Sequence, residues 1–230
     1  MKFVLFASLL LLVVTKVNAE AGFGGFVSGG LSNAGFQTEV SDGTDIELDE
    51  GIGLNLSGGM RFGPGLMVRG GYTYTEHEGG DISGSFGSST IVDDVELSEF
   101  RLGFFWAPPH ERTVGFRVGG GYEKITFEIS GSQENDMDGL FLESALLLKA
   151  GDITAFDLGG ALMSLDGDND EDVFGLEFKA GVSVSAGPVD IGASLRTLFL
   201  DTDFSSGESS EDTYTDLRIT VGTTWGYPGR

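Results

Sequence analysis

The chain has 230 residues, enough for one sizeable domain, and its 36 acidic and 13 basic side chains give a formal net charge of −23. This charge argues against nucleic acid as a partner, because phosphate binding needs a basic face. The absence of cysteine excludes disulfides, thiolate metal sites and cysteine nucleophiles, and 40% hydrophobic residues are too many for a disordered acidic chain.

The first predicted element is a targeting segment. Lys2 precedes an apolar run from Phe3 to Val14, and the small residues that a signal peptidase reads follow at Val17-Asn18-Ala19. We predict a secretory signal peptide over 1–19 and a mature domain over 20–230. The alternative is a membrane anchor, but the run is shorter than the roughly 20 residues that span a bilayer as a helix.

Strand periodicity dominates the remainder of the chain. Apolar side chains recur at every second position, as in Ile52, Leu54 and Leu56, with small or polar residues between them. This alternation predicts nine strands, over 52–62, 66–74, 100–106, 114–122, 140–148, 156–162, 174–184, 189–195 and 217–227. A tenth, glycine-rich strand is predicted over 24–40, with a bulge or a break near Asn33.

The connectors between these strands are of two kinds that alternate strictly. One kind is short, over 63–65, 107–112, 151–152 and 187–188. The other is longer, polar and acidic, over 41–50, 78–94, 130–138, 166–173 and 201–213. Strict alternation predicts an antiparallel meander with both chain termini on the side of the short turns, and no linker divides it into domains.

The two faces of the strands differ in chemistry. One face is apolar, with aromatic residues gathered near strand ends. The other is rich in Gly, Ser and Thr and also carries most of the charged strand residues, including Glu123, Lys149 and Asp190. Small residues suit the crowded lumen of a narrow barrel, so we place the apolar face outside, against lipid. The alternative is a secreted soluble barrel with its apolar face inside.

This pattern resembles the small single-chain outer-membrane β-barrel proteins of Gram-negative bacteria, over residues 24–227 and at the level of architecture. The resemblance implies a closed antiparallel up-and-down transmembrane β-barrel of about ten strands, with eight as the alternative. It also implies export to the outer membrane, membrane lipid around the barrel and insertion by the barrel-assembly machinery.

We predict that a network of charged side chains lies in the lumen. Its members are Arg61, Arg69, Glu99, Arg101, Arg117, Glu143, Asp157, Glu177, Lys179, Arg196, Asp216 and Arg218. One interpretation is a plug of paired charges, because buried charges need partners. The other is a narrow water-filled pore whose ion selectivity these groups determine.

The densest acidic connector is a weak candidate for cation binding. Asp166, Asp168, Asp170 and Asp172 stand at alternate positions, as in a calcium loop. Glu171 occupies the place where such a loop requires glycine, so this is not an EF-hand. We expect no tightly bound cofactor and at most weak binding of Ca²⁺ or Mg²⁺.

His77, between Glu76 and Glu78 at the outer end of a strand, is a candidate for catalysis. Some outer-membrane barrels are proteases or lipid A-modifying enzymes with a histidine near the rim. Omptin-type proteases pair it with an aspartate two residues earlier, where this chain has Thr75. We therefore interpret His77 as a surface residue and predict no enzyme activity.

Two functions from different classes follow. The first is a non-enzymatic outer-membrane barrel with a plugged lumen, whose acidic extracellular loops serve a structural or surface-interaction role. The second is a small cation-favouring, porin-like channel. An enzyme that uses His77 at the rim is a weaker third possibility, and the identity of an extracellular partner stays open.

Overall fold

The computed structural model describes residues 23–62, 65–84, 87–91, 94–108, 113–129, 134–168 and 171–225. The predicted signal peptide lies outside these residues. The described strands are β1 (Phe23–Val40), β2 (Asp45–Phe62), β3 (Leu66–His77), β4 (Gly80–Gly84), β5 (Gly87–Ile91), β6 (Val95–Trp106), β7 (Val114–Ile129), β8 (Glu134–Ala150), β9 (Thr154–Gly167), β10 (Glu171–Ala186), β11 (Val189–Asp203) and β12 (Ser209–Trp225).

Ten of these strands form a closed antiparallel barrel. Each strand pairs with its neighbour along the chain, and β1 closes the ring by pairing with both β2 and β12, as at Gly25↔Trp225 and Phe23↔Phe62. The register of β1 against β2 shifts between Ala34 and Phe36, at the place where the sequence predicts an irregularity. The predicted fold is confirmed, with ten strands in the barrel rather than eight.

The long acidic connectors of the sequence prediction are mostly strand. At the end of the barrel opposite to Phe23 and Trp225, which we call the distal end, residues 45–50, 134–138, 171–173, 201–203 and 209–213 continue the hydrogen-bonded ladders. The prediction of long loops there was wrong because it followed side-chain hydrophobicity. Where both faces of a strand are polar, the apolar alternation disappears while the backbone ladder continues.

The connector predicted over 78–94 contains a short hairpin of strands β4 and β5. β4 extends the distal part of β2, where Gly80 pairs with Leu48. The chain turns out of β3 at Gly79, whose φ of 117° favours glycine. The sequence prediction missed this hairpin because its strands are short and rich in glycine and serine, which carry little periodicity.

A belt of apolar side chains surrounds the barrel on its outer surface. Phe104 (72% exposed), Ile52 (71%) and Leu140 (69%) are typical members, and the polar strand residues face inward. On the distal side the belt ends at exposed carboxylates such as Glu76 and Asp138. A continuous exposed apolar band is what a lipid-embedded barrel presents. Within the described ranges, no helix has the length and apolarity needed to cross a membrane.

Candidate functional site: barrel interior and distal mouth

A charged layer crosses the middle of the barrel interior. It consists of Arg69, Glu99, Arg101, Arg117, Glu123, Glu143, Asp157, Glu177, Arg196, Asp216 and Arg218, which a continuous set of contacts within 4 Å connects. The period-two geometry of the strands turns all these side chains inward. Apart from Arg61 and Lys179, every residue of the predicted lumen network lies in this layer.

Arg101 and Arg196 lie at the centre of the charged layer. Arg101 contacts Glu123 at 2.7 Å and Glu177 at 2.9 Å. Arg196 contacts the same Glu177 at 2.8 Å and donates a hydrogen bond to Glu99. Glu177 is therefore shared between two guanidinium groups, an arrangement that stabilises a carboxylate without water around it.

Two further arginines of the charged layer, Arg117 and Arg218, also contact carboxylates. Arg117 donates two hydrogen bonds to Oε1 of Glu143, at 2.7 and 3.1 Å, and one to Asp157 at 3.3 Å. Arg218 holds Asp216 with two hydrogen bonds of 2.6 and 2.7 Å. Asp216 and Glu123 are completely buried, so their charges depend on the arginines that contact them.

Arg61 and Lys179, which we predicted to belong to the network, lie apart from it. Arg61 donates a hydrogen bond to the carbonyl oxygen of Ala107, towards the end of the barrel where the chain begins. Lys179 faces the lumen beside Arg196 in the sheet but makes no ion pair within 4 Å with any described residue. The sequence places both side chains on the correct face, but it does not determine their partners.

An apolar layer of buried side chains lies in the lumen on the distal side of the charges. Leu97, Ile125, Met163, Leu165, Val173, Leu198, Leu200 and Tyr214 belong to it, and all are buried. On the opposite side of the charged layer lie Met67 and Phe105. Three arginines lie near aromatic rings of this packing, with Arg101 at 4.8 Å from the Phe141 centroid, Arg196 at 5.8 Å from Tyr214 and Arg117 at 5.9 Å from Phe105.

The sequence analysis missed this apolar packing, although the sequence carries a signal for it. Consecutive apolar residues interrupt the supposed polar face at several places in the strands, among them 104–106, 140–142 and 198–200. In each, the middle or flanking residue that breaks the alternation points inward, as Phe105, Phe141 and Leu198 do. Interrupted alternation therefore marks lumen-filling side chains.

A small pocket lies at the distal mouth of the barrel, above the apolar layer. Its cavity volume is about 120 Å³, and its lining includes Phe36, Phe127, Met137, Glu171 and Asp212. The two phenylalanine rings pack together with centroids 5.2 Å apart. Burial raises the pKa of the Asp212 carboxyl to about 6, against the opposing effect of a hydrogen bond with Thr38. The sequence analysis did not single out this group of residues.

His77 is fully buried, so its predicted position at the surface was wrong. Nδ1 donates a 2.7 Å hydrogen bond to the carbonyl oxygen of Asp49, while Nε2 is buried without a partner among the described atoms. Burial lowers the pKa of His77. The residue points inward because the lumen-facing series of β3 continues from Thr73 and Thr75 to the last residue of the strand.

An acidic rim surrounds the barrel just distal to the apolar belt. It consists of Glu50, Glu76, Glu96, Asp138, Asp166, Asp172, Asp201, Asp203 and Glu211. Several of these carboxylates are direct cross-strand neighbours, as in Asp138↔Asp166 and Asp166↔Asp172. Like charges that face each other across strands repel, so this surface attracts cations.

The weak metal candidate lies partly in this rim. Asp166 and Asp172 are cross-strand neighbours, and Asp168 accepts a hydrogen bond from the backbone of Asp136 at 3.1 Å. Asp170 lies outside the described residues. In the described ranges no group of three or more histidine or carboxylate side chains is arranged to hold a metal ion. Weak binding of Ca²⁺ or Mg²⁺ stays a prediction.

The family comparison gives an assignment over most of the chain. A family model described as the outer membrane protein beta-barrel domain matches residues 4–224. No curated protein matches the sequence.

Solved structures with a similar fold are outer-membrane barrels of low sequence identity. The outer membrane protease OmpT from Escherichia coli has a TM-score of 0.60 at 7% identity, over 88% of this chain and 96% of that one. The outer membrane protein OprG from Pseudomonas aeruginosa has a TM-score of 0.49 at 14% identity, over 88% and 95%. At these identities the likeness shows the fold alone.

Proposed function

The chain belongs to the family of outer membrane proteins with a β-barrel domain, and from this premise we propose that its lumen is plugged and that it acts through its extracellular end. Short turns face the periplasm in such barrels, so the distal end with its acidic rim faces outward from the cell. The role we propose is surface interaction with cationic partners, without enzyme activity.

The observation that supports this proposal is the pair of side-chain layers in the lumen. The charged layer and the apolar layer succeed each other along the barrel axis and bring buried side chains from many strands into contact. A barrel of this strand number has an interior just wide enough for side chains to fill. Ions crossing it would have to displace both paired charges and packed apolar groups, which are costly to separate.

The acidic rim supports a surface role. Its carboxylates stand on hydrogen-bonded strands rather than on loose loops, so the negative field has a fixed shape. A field of one sign raises the local concentration of cations and increases the association rate of basic partners. Among the described residues, one basic side chain lies next to the rim. Its ammonium group, that of Lys124, lies 2.6 Å from the carboxylate of Asp136.

Planar-bilayer recording tests the proposal. The mature chain is refolded in detergent, its folding is checked by the shift of gel mobility on heating, and it is reconstituted under a KCl gradient. We expect no discrete conductance steps from folded protein. Discrete steps with cation preference would instead support the porin-like channel and would make the charged layer its filter.

Export to the outer membrane through a cleaved signal peptide is part of the proposal. N-terminal sequencing of protein recovered from outer membranes should begin at Glu20. Intact protein in the inner membrane, starting at Met1, would contradict it and would favour the anchor interpretation of the first segment. Insertion is proposed to use the barrel-assembly machinery, and depletion of this machinery should leave the mature chain unfolded.

A further inference from the structure

The distal mouth pocket combines aromatic rings with carboxylates. Three phenylalanines line it: Phe36 from β1, Phe127 from β7, and Phe204 from the connector between β11 and β12. The acidic members are Asp212 from β12 and Glu171 from β10. None of the described residues that line the pocket is basic, so its negative charge is not neutralised from within.

Asp212 shares a hydrogen bond with Thr38 but has no cationic partner within 4 Å among the described residues. Its Oδ1 is buried and has no hydrogen-bond partner among the described atoms. Elsewhere in the barrel, buried carboxylates such as Glu177 and Asp216 contact guanidinium groups at less than 3 Å. A half-buried carboxylate with one buried oxygen that has no partner is unfavourable, and a cation from outside would reduce this penalty.

The lining selects among cations. Metal ions of the Ca²⁺ or Mg²⁺ kind require several oxygen ligands, and no such group is arranged here in the described ranges. Phenylalanine faces attract cations that shed their water easily, and alkylated ammonium groups are the ligands that aromatic pockets recognise in this way. A neutral apolar ligand would fill the space but leave Asp212 unpaired.

The size of the pocket suits a compact head group. An engineered apolar cavity of about 150 Å³ holds benzene, a molecule of about six heavy atoms. The mouth pocket, with about 120 Å³, is therefore suited to a group of about five heavy atoms, such as tetramethylammonium.

We propose that the mouth pocket binds a small organic cation through an alkylated ammonium group, which the Asp212 carboxylate and the Phe36 and Phe127 rings would contact. This inference rests on the proposed function only in that the pocket lies at the end of the barrel which that proposal turns to the outside of the cell. The acidic rim around the mouth would concentrate such cations before they enter.

Methyl NMR of methionine tests the inference directly. Met137 lines the pocket, whereas Met60 is exposed on the lipid-facing surface. Refolded protein with ¹³C-methyl methionine is titrated with tetramethylammonium chloride in a non-ionic detergent, since zwitterionic detergents can carry the same ammonium group. We expect a saturable shift of the Met137 signal, assigned through Met137→Leu, and no shift of Met60. Tert-butanol, a neutral molecule of similar shape, should cause no saturable shift.

Matched variants identify the recognising groups. Asp212→Asn should weaken tetramethylammonium binding at least tenfold, and Phe127→Leu should also weaken it. Asp201→Asn, which removes an exposed rim carboxylate directly before the pocket-lining Thr202 on the opposite face of β11, should change the affinity less than twofold. If Asp212→Asn fails to show the heat-dependent gel shift of a folded barrel, Phe127→Leu and Glu171→Gln provide the comparison.

Three results would overturn the inference: no saturable Met137 shift in folded protein, equal affinity for tert-butanol, or unchanged affinity in the pocket variants. Bilayer recording on the same preparation distinguishes a failure of this inference from a failure of the proposed function. A silent barrel that does not bind tetramethylammonium removes the inference alone. A conducting barrel that binds it removes the proposed function and leaves the pocket.

Discussion

At the residue scale, the carboxylates of the charged layer contact guanidinium groups, whereas Asp212, outside the membrane, contacts none within 4 Å among the described residues. Glu177 has two guanidinium partners, at 2.8 and 2.9 Å, whereas Oδ1 of Asp212 has none among the described atoms. Burial raises the pKa of Asp212 from 3.8 to about 6. The folded state therefore binds this proton more tightly than the unfolded chain does, and ionisation of Asp212 lowers stability.

Asp212→Asn should stabilise the protein at neutral pH. The penalty of the ionised carboxylate is absent below its unfolded pKa near 4 and complete above about pH 6, and a shift of this size corresponds to at most about 3 kcal/mol. The free energy of urea unfolding in micelles should therefore rise in the variant at pH 7.5 and stay unchanged at pH 3.5. Asp201→Asn is the exposed control, and an equal gain at both pH values would contradict the argument.

The close approach of neighbouring strands also limits the size of the residue that fits at single positions, and Gly121 is an example. A β-carbon at this position would lie 2.0 Å from the carbonyl oxygen of Leu102, whereas one at Gly35 would meet nothing within 4 Å. Gly121→Ala should lower the unfolding free energy by about 1–3 kcal/mol, because the neighbouring backbone must move. Gly35→Ala should change it little. Equal effects in the two variants would show that the wall at Gly121 adapts without strain.

At the element scale, alternation along each strand decides which side chains meet lipid. The sequence predicted this for nine of the ten barrel strands, because a belt of apolar residues on one face produces a strong period of two. Charge at mid-depth on that face costs about 2–4 kcal/mol. Leu146→Arg and Ile219→Arg should therefore reduce the folded, heat-shifting form in outer membranes. Glu211→Arg, distal to the belt on the strand that carries Ile219, should fold normally.

The distal ends of the elements were predicted less well than their lipid-facing parts. There the outer face of the strands is as polar as a loop. Glu76 and Glu96, for example, are cross-strand neighbours, but neither residue contributes to an apolar alternation in the sequence. The inward position of His77 follows when the alternation of β3 is continued beyond its last apolar residue. The interruption of alternation at Phe105 and Phe141 predicts lumen packing, but the sequence does not reveal which strands across the barrel these rings meet.

At the scale of the whole molecule, the barrel is a closed wall around a charged and an apolar layer of side chains, and its two ends differ. Many strands contribute to the charged layer, so ion pairs such as Arg101–Glu177 and Arg69–Glu143 connect residues more than 70 positions apart in sequence. The sequence placed these side chains on one face but could not pair them, since pairing across a lumen depends on ring closure and on register around it. Most of the described acidic residues outside this layer lie at the distal end, with Asp152 and Asp190 at the opposite end.

A double-mutant cycle on Arg117 and Glu143 distinguishes a plugged lumen from a hydrated one. In a plugged lumen, Arg117→Ala leaves Glu143 with less compensation, and breaking such a buried pair costs about 3–5 kcal/mol of unfolding free energy. Combining Arg117→Ala with Glu143→Gln should restore much of this loss, because the uncompensated charge is gone. Bilayers should stay silent for both variants, since the apolar layer distal to the charges remains packed.

In a hydrated pore, water would solvate Glu143, so Arg117→Ala would cost little stability. The same variant would shift the reversal potential towards cations, and the double variant would show no recovery. Urea unfolding and reversal potentials on the same refolded samples therefore give opposite patterns for the two states of the lumen.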